Sequence, residues 1–290
     1  MNVYNYEDCP QGLSFANNGR NLNYFSLFMH ISELLISKNK IKILEIGSGG
    51  GRNLQAIHQK FGSKVELSGT DISNAAINYA RSLKIGKFYL ARSDVIPIAD
   101  KFDLILMIDI LEHLEAKCFV KEILDNALLH LSNDGHIYIS IPIELNRFSL
   151  TWFFSNLPYF KNLTKRFYGH SIQFDIKSFF ALIDSDKFKL KEIFYSVHFL
   201  TQLQVLFFFF LPKILLQFFL GEETAINLRD SNEIINYKKK SLLNIFKRTF
   251  ISLSYPLSYL AFKESSFKRN SSLGAGNMHL LIAKGSIKQK

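Results

Sequence analysis

The run Ile41-Lys42-Ile43-Leu44-Glu45-Ile46 ends directly on Gly47-Ser48-Gly49-Gly50-Gly51, and a helical pattern follows at once. A strand that turns sharply into a helix through glycines lets a ligand approach the backbone, because no Cβ stands in the way. The glycines fall at 47, 49 and 51, whereas the dinucleotide fingerprint places its third where Arg52 stands. A pyrophosphate-binding turn, and with it a nicotinamide enzyme, is therefore disfavoured.

The chain around this turn alternates regularly. Apolar, β-rich runs at 41–46, 65–69, 88–91, 102–108 and 136–141 are separated by helical patterns at 53–60, 74–81 and 114–131, and the last of these is followed by a turn signal at 132–135. A further helix is expected at 23–37, where Leu27, His30, Ile31, Leu34 and Leu35 recur at helical spacing, and another at 174–183. Later β-like runs at 188–197 and 278–283 bracket about eighty residues of different composition. The fold expected is α/β: a doubly wound, mainly parallel sheet of seven strands, with helices on both faces and a helical insertion before the last strand. The boundaries expected are an N-terminal helical segment 1–40, a Rossmann-like core 41–198, a hydrophobic and basic helical insertion 199–275, and a final strand and tail 276–290.

Two cysteines, Cys9 and Cys118, form neither a disulfide framework nor a metal cluster, and the first residues have no basic start or apolar stretch, so a cytoplasmic protein is expected. The net charge of +10 asks for an anionic partner. Between 233 and 270, eight basic residues stand against two acids, interleaved with Leu242, Leu243, Ile245, Phe246 and Phe250. Upstream, the apolar run 205–211 holds four consecutive phenylalanines, but Pro212, Lys213 and nearby glutamines interrupt it, so two short helices fit better than a spanning one. Basic residues interleaved with large apolar ones suit an anionic membrane surface, contacted through 199–270. Nucleic acid is not expected, since single-strand binders space their aromatics along a polar groove. The alternative is a helical cap, lid or dimer interface that closes on the protein itself.

Asp71 stands twenty residues beyond Gly51 at the end of the second strand, where an acid can accept from both hydroxyls of a ribose; its alternative is the N-cap of the next helix, which Ser73 also suits. With the stretches ILEIGSGGGRNL (43–54), SGTDIS (68–73), SDVIPIADKFDLILMIDILEHL (93–114) and HIYISIP (136–142), the sequence resembles the class I S-adenosylmethionine-dependent methyltransferases, particularly the group with quinone and polysaccharide methylases. That resemblance implies S-adenosylmethionine as cofactor. It puts Gly47, Gly49 and Gly51 on the methionine portion, Glu45 on the loop and the cofactor's amino group, and Asp71 with Ile72 on the ribose. Asp94 with Val95 falls near the adenine, and Asp109 along the pocket. Taken singly, Glu45, Asp94 and Asp109 could each be a solvated, turn or capping acid.

Methyl transfer needs the acceptor held against the methyl carbon, and a hydroxyl acceptor must also lose its proton. His113, in Leu111-Glu112-His113, and His170, in Tyr168-Gly169-His170, are the candidate bases, since a histidine takes up a proton near neutral pH. The Glu-His pair resembles a signature of quinone O-methylases. Beside Glu112 and His113 no further ligand set is visible, so no metal is assigned. An O-methyltransferase for a hydrophobic or lipid-linked acceptor is expected. The alternatives are a soluble small-molecule or sugar methylase, or a catalytically silent assembly factor.

Overall fold

The computed structural model describes residues 22–156, 169–207, 257 and 259–285. Cys9, residues 157–168, the run 208–211 and most of the apolar and basic segment up to 256 lie outside the described residues. Seven strands form one sheet: β1 (Ile41–Ile46), β2 (Val65–Asp71), β3 (Lys87–Leu90), β4 (Phe102–Ile108), β5 (Leu131–Pro142), β6 (Phe188–Ser196) and β7 (Asn277–Lys284). Their order is β3-β2-β1-β4-β5-β7-β6. The first five run parallel, and β7 is inserted antiparallel between β5 and β6. The mainly parallel sheet read from the sequence is thus the one observed.

Successive side chains of a strand point to opposite faces, and both faces here are apolar, which is why the strands read as near-continuous hydrophobic runs. On one face Ile41, Ile43, Leu104 and Leu106 pack with Leu27 and Ile31 of α1 (Leu22–Ser37), Leu54 and Ile57 of α2 (Arg52–Phe61), and Ile77 and Ala80 of α3 (Asn74–Ser82). On the other, Leu44, Ile46, Ile105, Met107, Ile137 and Ile139 meet Val120, Ile123 and Leu124 of α4 (Lys117–His130), with Phe179 of the short helix Ile176–Phe180.

Local boundaries differ from the sequence pattern where polar contacts decide them. The helix expected from 114 starts at Lys117, because Leu111–His113 forms a separate 3₁₀ turn and Leu114 takes an extended ψ of 149°. The turn signal at 132–135 lies inside β5: pairing passes from Phe102 with Leu131 to Leu104 with His136, so these residues bulge out without ending the strand. The helix expected over 174–183 shortens to Ile176–Phe180, opened by a capping box between Asp175 and Ser178.

The segment between β6 and β7 leaves and rejoins the sheet at one place. Helix Phe199–Val205 starts there and residues 259–267 return as a helix. Buried Gln202 closes the base: its Oε1 accepts from Leu150 N (2.6 Å), and its Nε2 donates to Val197 O (2.6 Å) and Gly274 O (2.7 Å). Glu264 Oε2 accepts from Leu200 N (2.7 Å). Among the described residues, no helix is long and apolar enough to cross a membrane. Replacing Gln202 by leucine keeps the bulk but removes the partner of Leu150 N and of Gly274 O, while Val197 O keeps Gly276 N. Urea unfolding of Gln202→Leu is expected to show a loss of about 2–4 kcal/mol, and a loss under about 0.5 kcal/mol would mean that water replaces the clasp.

Candidate functional site

Strand order reverses between β1 and β4, and in an open α/β sheet the crevice beyond the carboxyl ends of such a pair takes the ligand. The glycine turn sits there. Gly47, Gly49 and Gly51 all have positive φ (72°, 50° and 78°), a region costly for residues with a Cβ. At Gly47 a Cβ would lie 2.2 Å from Ile110 Cδ1, so the turn is also wedged against the residue that follows Asp109. At Gly49 a Cβ would meet nothing within 4 Å, so this part of the backbone borders open space.

Asp71 fastens the turn. Its Oδ2 accepts from Gly49 N (2.7 Å) and its Oδ1 from Ser73 N (2.9 Å), while Ser48 N donates to Thr70 O (2.9 Å). The N-cap of α3 is Ser73, whose hydroxyl accepts from Ala76 N, so Asp71 has no capping role. Glu45 is fully buried, not a solvated acid. Its Oε1 accepts from Asn53 Nδ2 (2.5 Å), Asn53 Oδ1 accepts from Tyr24 OH (2.5 Å), and Glu45 Oε2 is without a hydrogen-bond partner. Burial pushes the Glu45 carboxyl up to about 8, against the pull of Asn53 and Arg52.

The other predicted cofactor residues occupy the rim. Ile72 and Val95 are exposed apolar side chains. Asp94 holds Arg92 through two contacts (3.0 and 3.2 Å), and its carbonyl accepts from Asn126 Nδ2. Asp109 has a left-handed φ of 51°; its N donates to Ser140 O (2.9 Å) and its Oδ1 accepts from Ser140 Oγ (3.3 Å). The surrounding protein raises the Asp109 pKa, and the charges of Arg52 and His170 oppose the shift.

His113 and His170, far apart in sequence, meet edge to face with ring centroids 5.0 Å apart. Ser171 N and Ile172 N both donate to Glu112 O (2.8 and 2.9 Å), which pins the loop carrying His170 to the 3₁₀ turn carrying His113. His170 Nδ1 lies 2.5 Å from Glu144 Oε1, and His113 Nδ1 lies 3.3 Å from Gly169 O. Each histidine Nε2 is 4.0 Å from Glu112 Oε1. Burial, with His170 alongside, lowers the His113 pKa to about 4, so its imidazole is neutral at physiological pH. Burial and the charges of Asp109 and Glu144 push the Glu112 carboxyl well above the usual range. Neither histidine is an ordinary surface residue.

Glu144 and the Tyr24–Asn53 pair are site residues that sequence reasoning missed. The signal available for Glu144 was its place just beyond β5, at the carboxyl end of a parallel strand. For Tyr24 no spacing pointed to the site, because α1 precedes the sheet.

Residues 44–137 match the family model of a methyltransferase domain. A comparison with curated protein sequences returns no match. Among solved structures, the chain is similar to a protein assigned as a sarcosine dimethylglycine methyltransferase from Galdieria sulphuraria, at TM-score 0.54 and 13% identity, covering 91% of this chain and 84% of that one. It is similar to the plantazolicin methyltransferase BpumL in complex with a triazolic substrate analogue and SAH, at TM-score 0.51 and 17% identity, covering 93% and 88%. The cyclase SpnF is similar at TM-score 0.52 and 11% identity, covering 91% and 81%. At these identities the likeness shows the fold, and the cyclase shows that this fold hosts more than one chemistry.

Glu45 gives the site a pH signature. Its folded pKa of about 8 lies above that of the unfolded chain, so its contribution to stability is present at low pH and is lost as pH rises from about 4.5 to about 8. Thermal melts of Glu45→Gln against the parent are expected to show the variant relatively more stable at pH 8 than at pH 5. An identical difference at both values would refute the shift.

Proposed function

We propose that this chain, which carries a class I, Rossmann-like methyltransferase domain, transfers a methyl group from S-adenosylmethionine to an oxygen of a hydrophobic or lipid-linked acceptor at an anionic membrane surface. The observation that carries the cofactor assignment is the turn 47–51: backbone open at Gly49, fastened by Asp71, within the stretch that matches a methyltransferase domain. The residues present fit the cofactor. Glu45 Oε2, buried and unpartnered, has capacity for its ammonium group. Asp71 retains lone pairs for ribose hydroxyls, Asp94 lies on the adenine side, and the exposed side chains of Ile72 and Val95 form apolar edges for a flat base. Gly47 and Gly51 keep the turn tight, and Asp109 borders the pocket.

When bound, S-adenosylmethionine supplies a methyl group on a sulfonium sulfur: the acceptor oxygen bonds to its carbon, the carbon–sulfur pair stays on sulfur, and the acceptor's proton leaves. The chain's own task is then to align the acceptor and activate its oxygen. His113 and His170 are assigned to that activation, since their rings meet edge to face and the charge of His170 is felt at Asp109.

The hydrophobic acceptor rests on the surface beside this end. Phe148 and Phe153, beyond β5, and Phe199, Tyr259, Leu260 and Phe267, at the two ends of the insertion, are all exposed large apolar side chains. Lys263 and Lys268 are exposed among them, with Lys263 over the ring of Tyr259. Aromatic and basic groups so mixed suit the headgroup region of an anionic bilayer.

Calorimetric titration with S-adenosylmethionine and S-adenosylhomocysteine is expected to give Kd values on the order of micromolar, none for NAD, and at least a tenfold loss in Asp71→Ala and Gly47→Ala. Absence of binding by the folded protein would overturn the reading. Flotation with vesicles rich in phosphatidylglycerol is expected to carry the protein, with much less on phosphatidylcholine alone and a loss at about 0.5 M salt. Equal flotation on both vesicle types would remove the anionic surface from the proposal.

A further inference from the structure

Glu112 is a buried carboxyl group to which the fold gives no hydrogen-bond partner. It is 1% exposed, and neither carboxylate oxygen has a hydrogen-bond partner. A buried carboxyl group without partners is disfavoured, more so when ionised. Two imidazoles lie beside it, those of His113 and His170. Gly169 O can only accept, so His113 Nδ1 carries the proton there. Glu144 likewise takes the Nδ1 proton of His170. Both rings are thereby held through Nδ1, with Nε2 of each 4.0 Å from Glu112 Oε1.

One positive ion can be reached by all three and would give the Glu112 oxygens the partner they lack. The ligand atoms of Glu112, His113 and His170 all lie within 4.8 Å of one another. A first-row cation bonds to imidazole nitrogen at about 2.0–2.1 Å and to carboxylate oxygen at about 2.0–2.2 Å, so binding requires the three groups to close by no more than about 1 Å. The outer contacts are those that metal-bound histidines use: a carboxylate, Glu144, behind one ring and a backbone carbonyl behind the other. The frame is also preformed without any ion, since the two backbone bonds to Glu112 O hold the loop and the turn together.

We propose that Glu112, His113 and His170 bind one divalent cation of the zinc, cobalt or iron class, with Glu144 as the positioning residue behind His170. Two imidazoles and one carboxylate favour such ions over magnesium or calcium, which take mainly oxygen ligands. The side chains of His113 and His170 are 22% and 13% exposed, so the ion is reachable from solvent and keeps positions for an outside oxygen. Resting on the methyltransferase reading, the cation's role is to bind the acceptor hydroxyl as a Lewis acid, so that its O–H proton passes to water while the oxygen stays at the metal. A histidine whose Nε2 holds the ion takes up no proton, so the two histidines activate the acceptor as ligands.

The test is a cobalt titration of the full-length protein after chelator treatment, followed by visible absorption and by calorimetry, with no S-adenosylmethionine present. Expected are d–d bands that saturate at one equivalent, bleached by Zn2+. Affinity should fall at least about a hundredfold in His113→Ala, His170→Asn and Glu112→Gln, and about 10- to 100-fold in Glu144→Gln, with His58→Ala unchanged. Circular dichroism identifies any variant that does not fold, and the parent spectrum decides the question even then. No cobalt bands up to about millimolar Co2+, or bands unchanged in folded His113→Ala and His170→Asn, would overturn the site. Cobalt binding by a protein that binds no S-adenosylmethionine would retain the site and overturn the methyltransferase reading instead.

Discussion

The close approach of the 47–51 turn to the end of β2 is the constraint on which the rest of the site depends. Two backbone groups cross that gap: Ser48 N reaches Thr70 O, and Gly49 N reaches the Asp71 carboxylate. The approach is possible because Gly69 faces the turn, where a Cβ would stand 2.6 Å from Ser48 Oγ and 2.8 Å from Phe88. Once the turn is held there, α2 starts at Arg52 with its first turn over β1, and Asn53 lies within reach of Glu45. Tyr24 of α1 then finds Asn53. A helix that precedes the sheet and a carboxylate at its centre are thus joined through one asparagine. The chain Tyr24–Asn53–Glu45 leaves a single buried carboxylate oxygen without a partner.

The large pattern of the fold was legible because it follows from period alone. Strands buried on both faces must be apolar throughout, helices between them must carry one apolar stripe, and both patterns survive in a single sequence. What was not legible depends on contacts between distant residues. Residues 132–135 have the composition of a turn, yet pairing resumes at His136, so they bulge from β5 without ending it. Residues 114–116 have helical composition, yet the 3₁₀ turn before them redirects the chain. Asp71 could equally have capped α3, and only the position of Ser73 settles which of the two does so.

The site shows the same division. Glu45, the glycines and Asp71 lie in one continuous strand–turn–helix–strand unit, so their spacing alone indicates that they meet. His113 and His170 were recognisable as residues able to handle a proton. That they touch follows from the two bonds that Glu112 O accepts across 59 and 60 residues of chain, which no local pattern encodes. The place of Glu144 just beyond β5 marks it as lying at the ligand end of the sheet, but nothing local pairs it with His170.

The histidine at the centre of β7 and the pair beside Glu112 serve different ends, and their hydrogen bonding tells them apart. His279, at the centre of β7, is wholly enclosed: Nε2 pairs with Ser196 Oγ (2.7 Å), Nδ1 with Tyr138 OH (3.3 Å), and its ring stacks on Phe194 with centroids 4.5 Å apart. Arg269 lies over the far face of the same group, on Phe194. Burial holds the His279 pKa down to about 3, so the ring is neutral at any pH at which the protein works, and both nitrogens are partnered. Such a cluster stiffens the β6–β7 pair and asks for nothing further. Around Glu112 the balance is the reverse. The Glu112 carboxyl has no hydrogen-bond partner, and the loop and turn that carry the groups are fastened by backbone bonds that would hold without them. A fold selected for stability alone would fill that position with an apolar side chain of similar volume, as it does at the adjacent Leu111. A buried carboxyl group is retained there instead, beside the two histidines.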